Sequence, residues 1–300
     1  MANISSAGIF SEKQGSTVAR TVITQLGCGI LSFCMSSTAV FSEYFPFGAA
    51  FACALPGEYS LVSLLGGITG AITATGASGV RYITTIILSV ALKWIFTELF
   101  KPKNKTIFCS LIPLVSFCAT GFATVFLGGQ AFLQIFVHLS EGVLSAGSTF
   151  FLISGAEIAL KREHTAVTPF KMTSAIIALS ITVISLTRFT VFGISPVRAA
   201  AIALIIFAAY YGHEAAGAIF GLTFGLSLCL VNQSETYSAL GFAFGGLMSG
   251  IFGRLSKISC CVAFVTANGI IFLRDITDTA SLTVLYEVLI GSVLFLLTPK

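Results

Sequence analysis

His138 and Glu141 stand three residues apart, so on a helix they share one face and could bind a metal ion or pass a proton. The chain has only three histidines, His138, His164 and His213, and no second pair of this kind, which argues against a metal centre. Glu141 falls inside a long apolar segment, where a carboxylate needs a partner or water. The spacing therefore predicts a polar contact between helices, with a proton or solute path as the sharper alternative. Glu287, inside the last apolar segment, is a second buried polar candidate. Glu58 and the pair His213-Glu214 sit at glycine-marked turns and read as partly solvated loop residues.

Other chemistry is excluded by what the chain lacks. Its only aspartates are Asp275 and Asp278, too close together to form a dispersed cluster for catalytic Mg²⁺ or Mn²⁺. Gly27-Cys28-Gly29 opens an apolar helix and follows no strand, so it is not a phosphate loop. No Ser-His-Asp or Cys-His nucleophile set can be assembled. This chain alone is expected to be no enzyme, to hold no cofactor and to have no catalytic or metal site.

The elements that must position these residues follow from composition. Of 300 residues 56% are apolar and 9% charged, against roughly 25% charged in a soluble domain. The net charge of +4 is too small and dispersed for a nucleic-acid partner. The fold class is all-α, a polytopic helical bundle whose partner is the lipid bilayer. Residues 1–20 read as a cytoplasmic tail and 21–300 as the transmembrane domain.

Apolar runs lie near 21–41, 46–56, 60–76, 80–100, 106–127, 131–160, 172–192, 197–211, 213–231, 237–253, 257–273 and 281–298, or 10–12 crossings depending on how the short ones behave. Segments 46–56 and 197–211 are short, follow Pro46 and Pro196, and end at Gly57-Glu58 and Gly212-His213-Glu214. They read as half-helices or re-entrant arms of a weak internal repeat. Segment 131–160 must tilt, break near Gly142 and Gly147, or project; counted from its outer end, Glu141 lies about 15 Å deep.

With the N-terminus in the cytoplasm, eleven cations (Lys13, Arg20, Lys101, Lys103, Lys105, Lys161, Arg162, Lys171, Arg254, Lys257 and Lys300) fall inside. Arg81, Arg188, Arg198 and Arg274 fall outside, with Arg188 and Arg198 expected to face headgroups. Lys93, beside Trp94, is expected to snorkel to the cytoplasmic interface. Both termini are thus placed in the cytoplasm.

Glycines recur at four-residue steps: Gly66/Gly70, Gly217/Gly221/Gly225, Gly241/Gly245 and Gly246/Gly250. Such steps let helix backbones approach closely, either within the chain or between two copies. The eight cysteines, all in apolar stretches, read as small apolar residues.

Several strings resemble the membrane region of the stage II sporulation protein E family. They are Pro46-Phe47-Gly48-Ala49-Ala50-Phe51, Glu141-Gly142-Val143-Leu144-Ser145, the run from Gly212 through Gly217 and Gly221 to Leu226, Phe244-Gly245-Gly246-Leu247-Met248-Ser249-Gly250 followed by Arg254 and Lys257, and the closing run from Leu285 to Lys300. The resemblance spans about residues 40–300. It implies a multi-pass domain of the bacterial cytoplasmic membrane that anchors a PP2C-type serine/threonine phosphatase at the polar division septum during sporulation. In that family the phosphatase activates a forespore sigma factor. A cytoplasmic linker promotes self-association and meets the tubulin-like division protein. The phosphatase, with its Mn²⁺ or Mg²⁺, has no positions in this chain. A small-solute transporter or channel is the alternative, resting on the short arms and Glu141.

Overall fold

The computed structural model describes residues 5–129, 131–160, 168–231, 236–273 and 279–299. The expectations for Lys161, Arg162, His164, Arg274, Asp275, Asp278 and Lys300 lie outside the described residues. The described chain forms eleven α-helices: α1 (Ser5–Ser37), α2 (Phe47–Ala54), α3 (Ser60–Thr75), α4 (Val80–Phe100), α5 (Lys105–Gly128), α6 (Gln134–Leu160), α7 (Pro169–Leu186), α8 (Pro196–Val231), α9 (Thr236–Phe252), α10 (Lys257–Phe272) and α11 (Thr279–Leu297). Helix α8 is broken at His213, whose φ of 60° and ψ of −158° interrupt the ladder. Each of the twelve apolar segments therefore corresponds to one helical piece. The first helix starts earlier than its apolar run, at Ser5 instead of near residue 21, taking in much of the expected tail.

Helices α4 to α8 are each long and apolar enough to cross a membrane, and α9, α10 and 282–297 are shorter apolar helices. Side chains are distributed as lipid demands. Large apolar groups such as Leu65, Leu99, Phe126, Leu127 and Ile258 are exposed, while Ser32, Ser36, Ser63, Thr85, Ser145, Thr149, Ser174 and Ser180 are buried. Several of these hydroxyls donate to a carbonyl one turn back, the local bond that lets Ser and Thr sit inside an apolar helix, for example Ser174 Oγ to Phe170 O at 3.0 Å. The chain is a polytopic helical membrane bundle.

The chain divides into two compact units, Met1–Ser37 with Pro46–Thr149, and Thr38–Phe45 with Phe150–Lys300. In the first, α3 lies on α1. A Cβ on Gly66 or Gly70 would strike the backbone carbonyl of Gly29 or Phe33, so glycine sets that distance of approach. Ser32 and Ser36 of α1 donate to the carbonyls of Ser63 and Gly67, both at 2.6 Å. Helix α2 has eight residues, about 12 Å, too short to cross. It is fully inside this unit, with Ser145 Oγ donating to Pro46 O at 3.0 Å and Thr149 Oγ1 to Ala50 O at 3.2 Å.

Lys93 has a partner that the sequence did not indicate. It is buried, and its ammonium donates to the carbonyls of Ala52 (3.2 Å) and Leu55 at the C-terminal end of α2. The cation sits where the helix dipole is negative, so α2 is stabilised by a side chain 38 residues beyond its cap residue. Of the alternatives for α6, the break does not occur, since Gly142 and Gly147 lie in an unbroken helix that starts at Gln134. Glu141 is about 10 Å along α6 from that start.

In the second unit, α9 packs along the second arm of α8. A Cβ on Gly217, Gly221 or Gly225 would collide with the carbonyls of Gly246, Phe242 or Ala239. Gly246 faces Gly217 in return, and Gly250 meets the backbone of Glu214. Gly241 and Gly245 give room to Asn268 of α10, whose amide atoms a Cβ would approach to 2.5 Å. Every glycine in the four-residue pattern is thus used inside the chain, and none of those faces is left for a second copy. The core of this unit joins Ile202, Ile205 and Ile206 with Phe224, Phe242, Phe264 and Phe295.

The internal repeat acquires a shape. Before each short arm the backbone makes a tight reversal closed by a β-bridge, Val40 to Tyr44 and Val191 to Ile194. Both reversals use left-handed residues, Phe41 and Ser42 in one, Phe192 and Gly193 in the other. The arms themselves differ. The first arm of α8, residues 196–212, is about 25 Å long, nearly a full crossing and twice the length of α2.

Candidate functional site

A dense polar site lies in the first unit, at the start of α4. Arg81 and Tyr82 occupy the first turn of that helix, while His138 and Glu141 reach them from α6. The Arg81 guanidinium grips Glu141 with two prongs, Nη1 to Oε2 at 2.7 Å and Nη2 to Oε1 at 3.0 Å. Tyr82 donates its hydroxyl to Oε1 at 2.8 Å.

Nδ1 of His138 lies 2.9 Å from Arg81 Nη1 and 3.3 Å from Glu141 Oε2; arginine can only donate, so the shorter contact makes Nδ1 the acceptor. That assignment puts the ring proton on Nε2, 3.4 Å from Thr124 Oγ1. Gly121 of α5 makes space for the ring, since a Cβ there would fall 2.6 Å from the His138 Cβ. Phe117 closes the site with an edge-to-face contact to Tyr82, ring centroids 6.5 Å apart. One charge of each sign, a bidentate pair and a neutral imidazole form a closed contact between α4 and α6.

Arg81, Thr85, Ser89 and Lys93 follow each other at four-residue steps along one face of α4. The last three are buried, and Thr85 Oγ1 lies 2.8 Å from Thr120 Oγ1 of α5. The sequence showed Arg81 as an outside cation only. The missed signal is the stripe itself, four polar residues in register through a helix otherwise made for lipid.

A related arrangement occurs in the second unit. Glu287 of α11 is buried at the start of α8, where Oε1 accepts the Ser195 amide at 2.7 Å and Oε2 lies 3.3 Å from Arg198 Nε. Arg198 therefore pairs with an internal carboxylate and does not simply face headgroups, whereas Arg188 is exposed. In both units an acid from a later helix meets an arginine in the first turn of an earlier one.

The remaining candidates are peripheral. Glu58 is exposed in a 3₁₀ turn, and His213 is exposed at the break in α8. Glu214 pairs with Arg254 at 2.7 Å, both side chains largely open to solvent. All eight cysteines are free thiols. Among the described residues, no three His, Cys, Asp or Glu side chains are gathered to hold a metal ion.

A family described as "SpoIIE, N-terminal domain" matches residues 6–300, nearly the whole bundle just described. The chain belongs to the SpoIIE N-terminal domain family. Stage II sporulation protein E of Bacillus subtilis (strain 168) is 32% identical to it over 91 residues, which make up 30% of this chain and 11% of that relative. The chain thus matches only a small part of that protein. No solved structure matches it. In this SpoIIE N-terminal domain the buried ion pairs, like the glycine faces, serve contacts between helices.

Proposed function

We propose that this SpoIIE N-terminal domain is the membrane anchor of a sporulation phosphatase, holding its catalytic part at the polar division septum of the bacterial cytoplasmic membrane. In this reading both termini are cytoplasmic, and a PP2C-type domain with Mn²⁺ or Mg²⁺ follows a linker that meets the tubulin-like division protein. Release of a forespore sigma factor is then the work of that catalytic part.

The observation that carries the reading is the family match over residues 6–300, joined to a bundle in which, among the described residues, Glu141, Glu287 and Lys93 are engaged in contacts between helices or with their ends. Glu141 is held by an arginine and a tyrosine, the state of a structural carboxylate. Self-association remains part of the proposal, but through faces other than the glycine stripes.

A fluorescent fusion of residues 1–300 tests the anchor. During sporulation it should collect at the polar septum, and uniform labelling of the membrane would overturn autonomous targeting.

A further inference from the structure

Glu141 is held without help from His138. Two Arg81 nitrogens and the Tyr82 hydroxyl already donate to the carboxylate, while the neutral ring turns an accepting nitrogen towards it. The protonation state of that ring is set from both sides. Arg81 Nη1 donates to Nδ1 at 2.9 Å. At the other nitrogen, Thr124 gives its own hydroxyl proton to the Gly121 carbonyl at 2.8 Å, so its oxygen is left to accept from Nε2–H at 3.4 Å.

A second proton therefore has one place to go, Nδ1, which is the corner of a triangle. Its sides run 2.9 Å from Nδ1 to Arg81 Nη1, 3.3 Å from Nδ1 to Glu141 Oε2, and 2.7 Å from Nη1 to Oε2. With Nδ1 bare, Arg81 donates along two sides. With Nδ1 protonated, one of those sides sets donor against donor, and ring and guanidinium compete for the same oxygen. The balance of charge changes too, from one of each sign to two positive against one negative, among side chains of His138 and Glu141 that are only 6% and 3% exposed. Among the described residues, the titratable and charged groups of the cluster are Arg81 and Tyr82 of α4 and Glu141 of α6 itself. Helix α5 faces the ring with Thr124 and Gly121, which do not titrate.

We propose that His138 is a proton-operated switch in the contact between α4 and α6. Neutral, it locks Arg81 onto Glu141. Protonated on Nδ1, it takes Oε2 for itself and displaces Nη1, leaving Glu141 joined to α4 through Nη2 and the Tyr82 hydroxyl, both on Oε1. Arg81 and Thr124, which meet the two ring nitrogens, also line an open groove between α4 and α5, so the ring is one side chain away from an opening. An unfolded chain takes up the same proton without the clash, at about pH 6.5, so the closed contact contributes fully above that pH and less below it.

The test is nitrogen-15 NMR of the full chain in mild detergent, labelled at histidine, from about pH 8 to about pH 5. His138 is the signal that survives in a chain carrying His164→Gln and His213→Gln. At the alkaline end Nε2 should carry the proton and Nδ1 should be bare; at the acid end both should be protonated, and the melting temperature should fall. His138→Asn puts a fixed acceptor near the place of Nδ1, and over the same range the parent should lose at least about 3 °C more than this variant. A ring that stays neutral at the acid end, or one with its proton on Nδ1 at the alkaline end, would overturn the proposal. So would an equal fall in the parent and in His138→Asn, which would place the sensitive group elsewhere. The NMR readings do not depend on His138→Asn and decide the matter even where that variant fails to fold.

Discussion

The two nitrogens at the tip of Arg81 lie 2.7 and 3.0 Å from the two oxygens of Glu141, and the side chains are only 13% and 3% exposed. Sixty positions separate them in sequence, so this contact joins α4 to α6 and is among the costliest to break by halves. Arg81→Met leaves a buried carboxylate without its counter-charge, held by the Tyr82 hydroxyl, and should cost about 3–5 kcal/mol. Arg81→Met with Glu141→Met should recover much of that loss. Thermal unfolding in detergent, run as a double-mutant cycle, measures both, and simple additivity would show that the pair does not couple.

The glycine faces predict a second contrast. Gly221→Leu drives a side chain into the Phe242 carbonyl and should destabilise by about 1–3 kcal/mol or more. Gly147→Ala meets nothing within 4 Å and should be neutral or stabilising by up to about 1 kcal/mol. If both variants melt alike, close packing of α8 on α9 is not what those glycines provide.

Loss of the Lys93 ammonium should loosen α2. In a chain keeping Cys53 as its one cysteine, Lys93→Met should raise the rate at which a membrane-permeant maleimide modifies that thiol, which is buried beside α4. Lys93→Arg, which keeps a donor for the Ala52 carbonyl, should raise it less. Equal rates in all three would count against a cation holding the end of α2.

Membrane orientation is open to direct measurement. Glu58→Cys and His213→Cys place thiols at exposed turns that the charge distribution assigns to the cytoplasm. In cysteine-free chains both should react with an impermeant maleimide in inside-out vesicles and stay unmodified in intact cells. Modification from the outer face would reverse the orientation.

Helices were readable because hydropathy and length act locally: 80–100 and 106–127 match α4 and α5 within a residue. The break at His213 was also readable, from a glycine and two polar residues between apolar runs. The partners of Arg81, Arg198 and Lys93 were not. A cation near a helix end looks the same whether it meets water, a headgroup or a carboxylate 60 or 89 residues away, and only the packing of other helices decides. The glycine stripes posed the same problem. Spacing indicates that a backbone comes close, but not whose, and here it belongs to the same chain.

The Lys93 contact constrains how such a chain is made. Helix α2 is too short to enter lipid alone, and the carbonyls at its end wait for a donor carried by α4. Lys93 in turn is expensive in hydrocarbon until those carbonyls receive it. Residues 46–93 therefore form a single unit of insertion, and a translocon releasing these segments one by one would have to shelter α2 until α4 had left the ribosome.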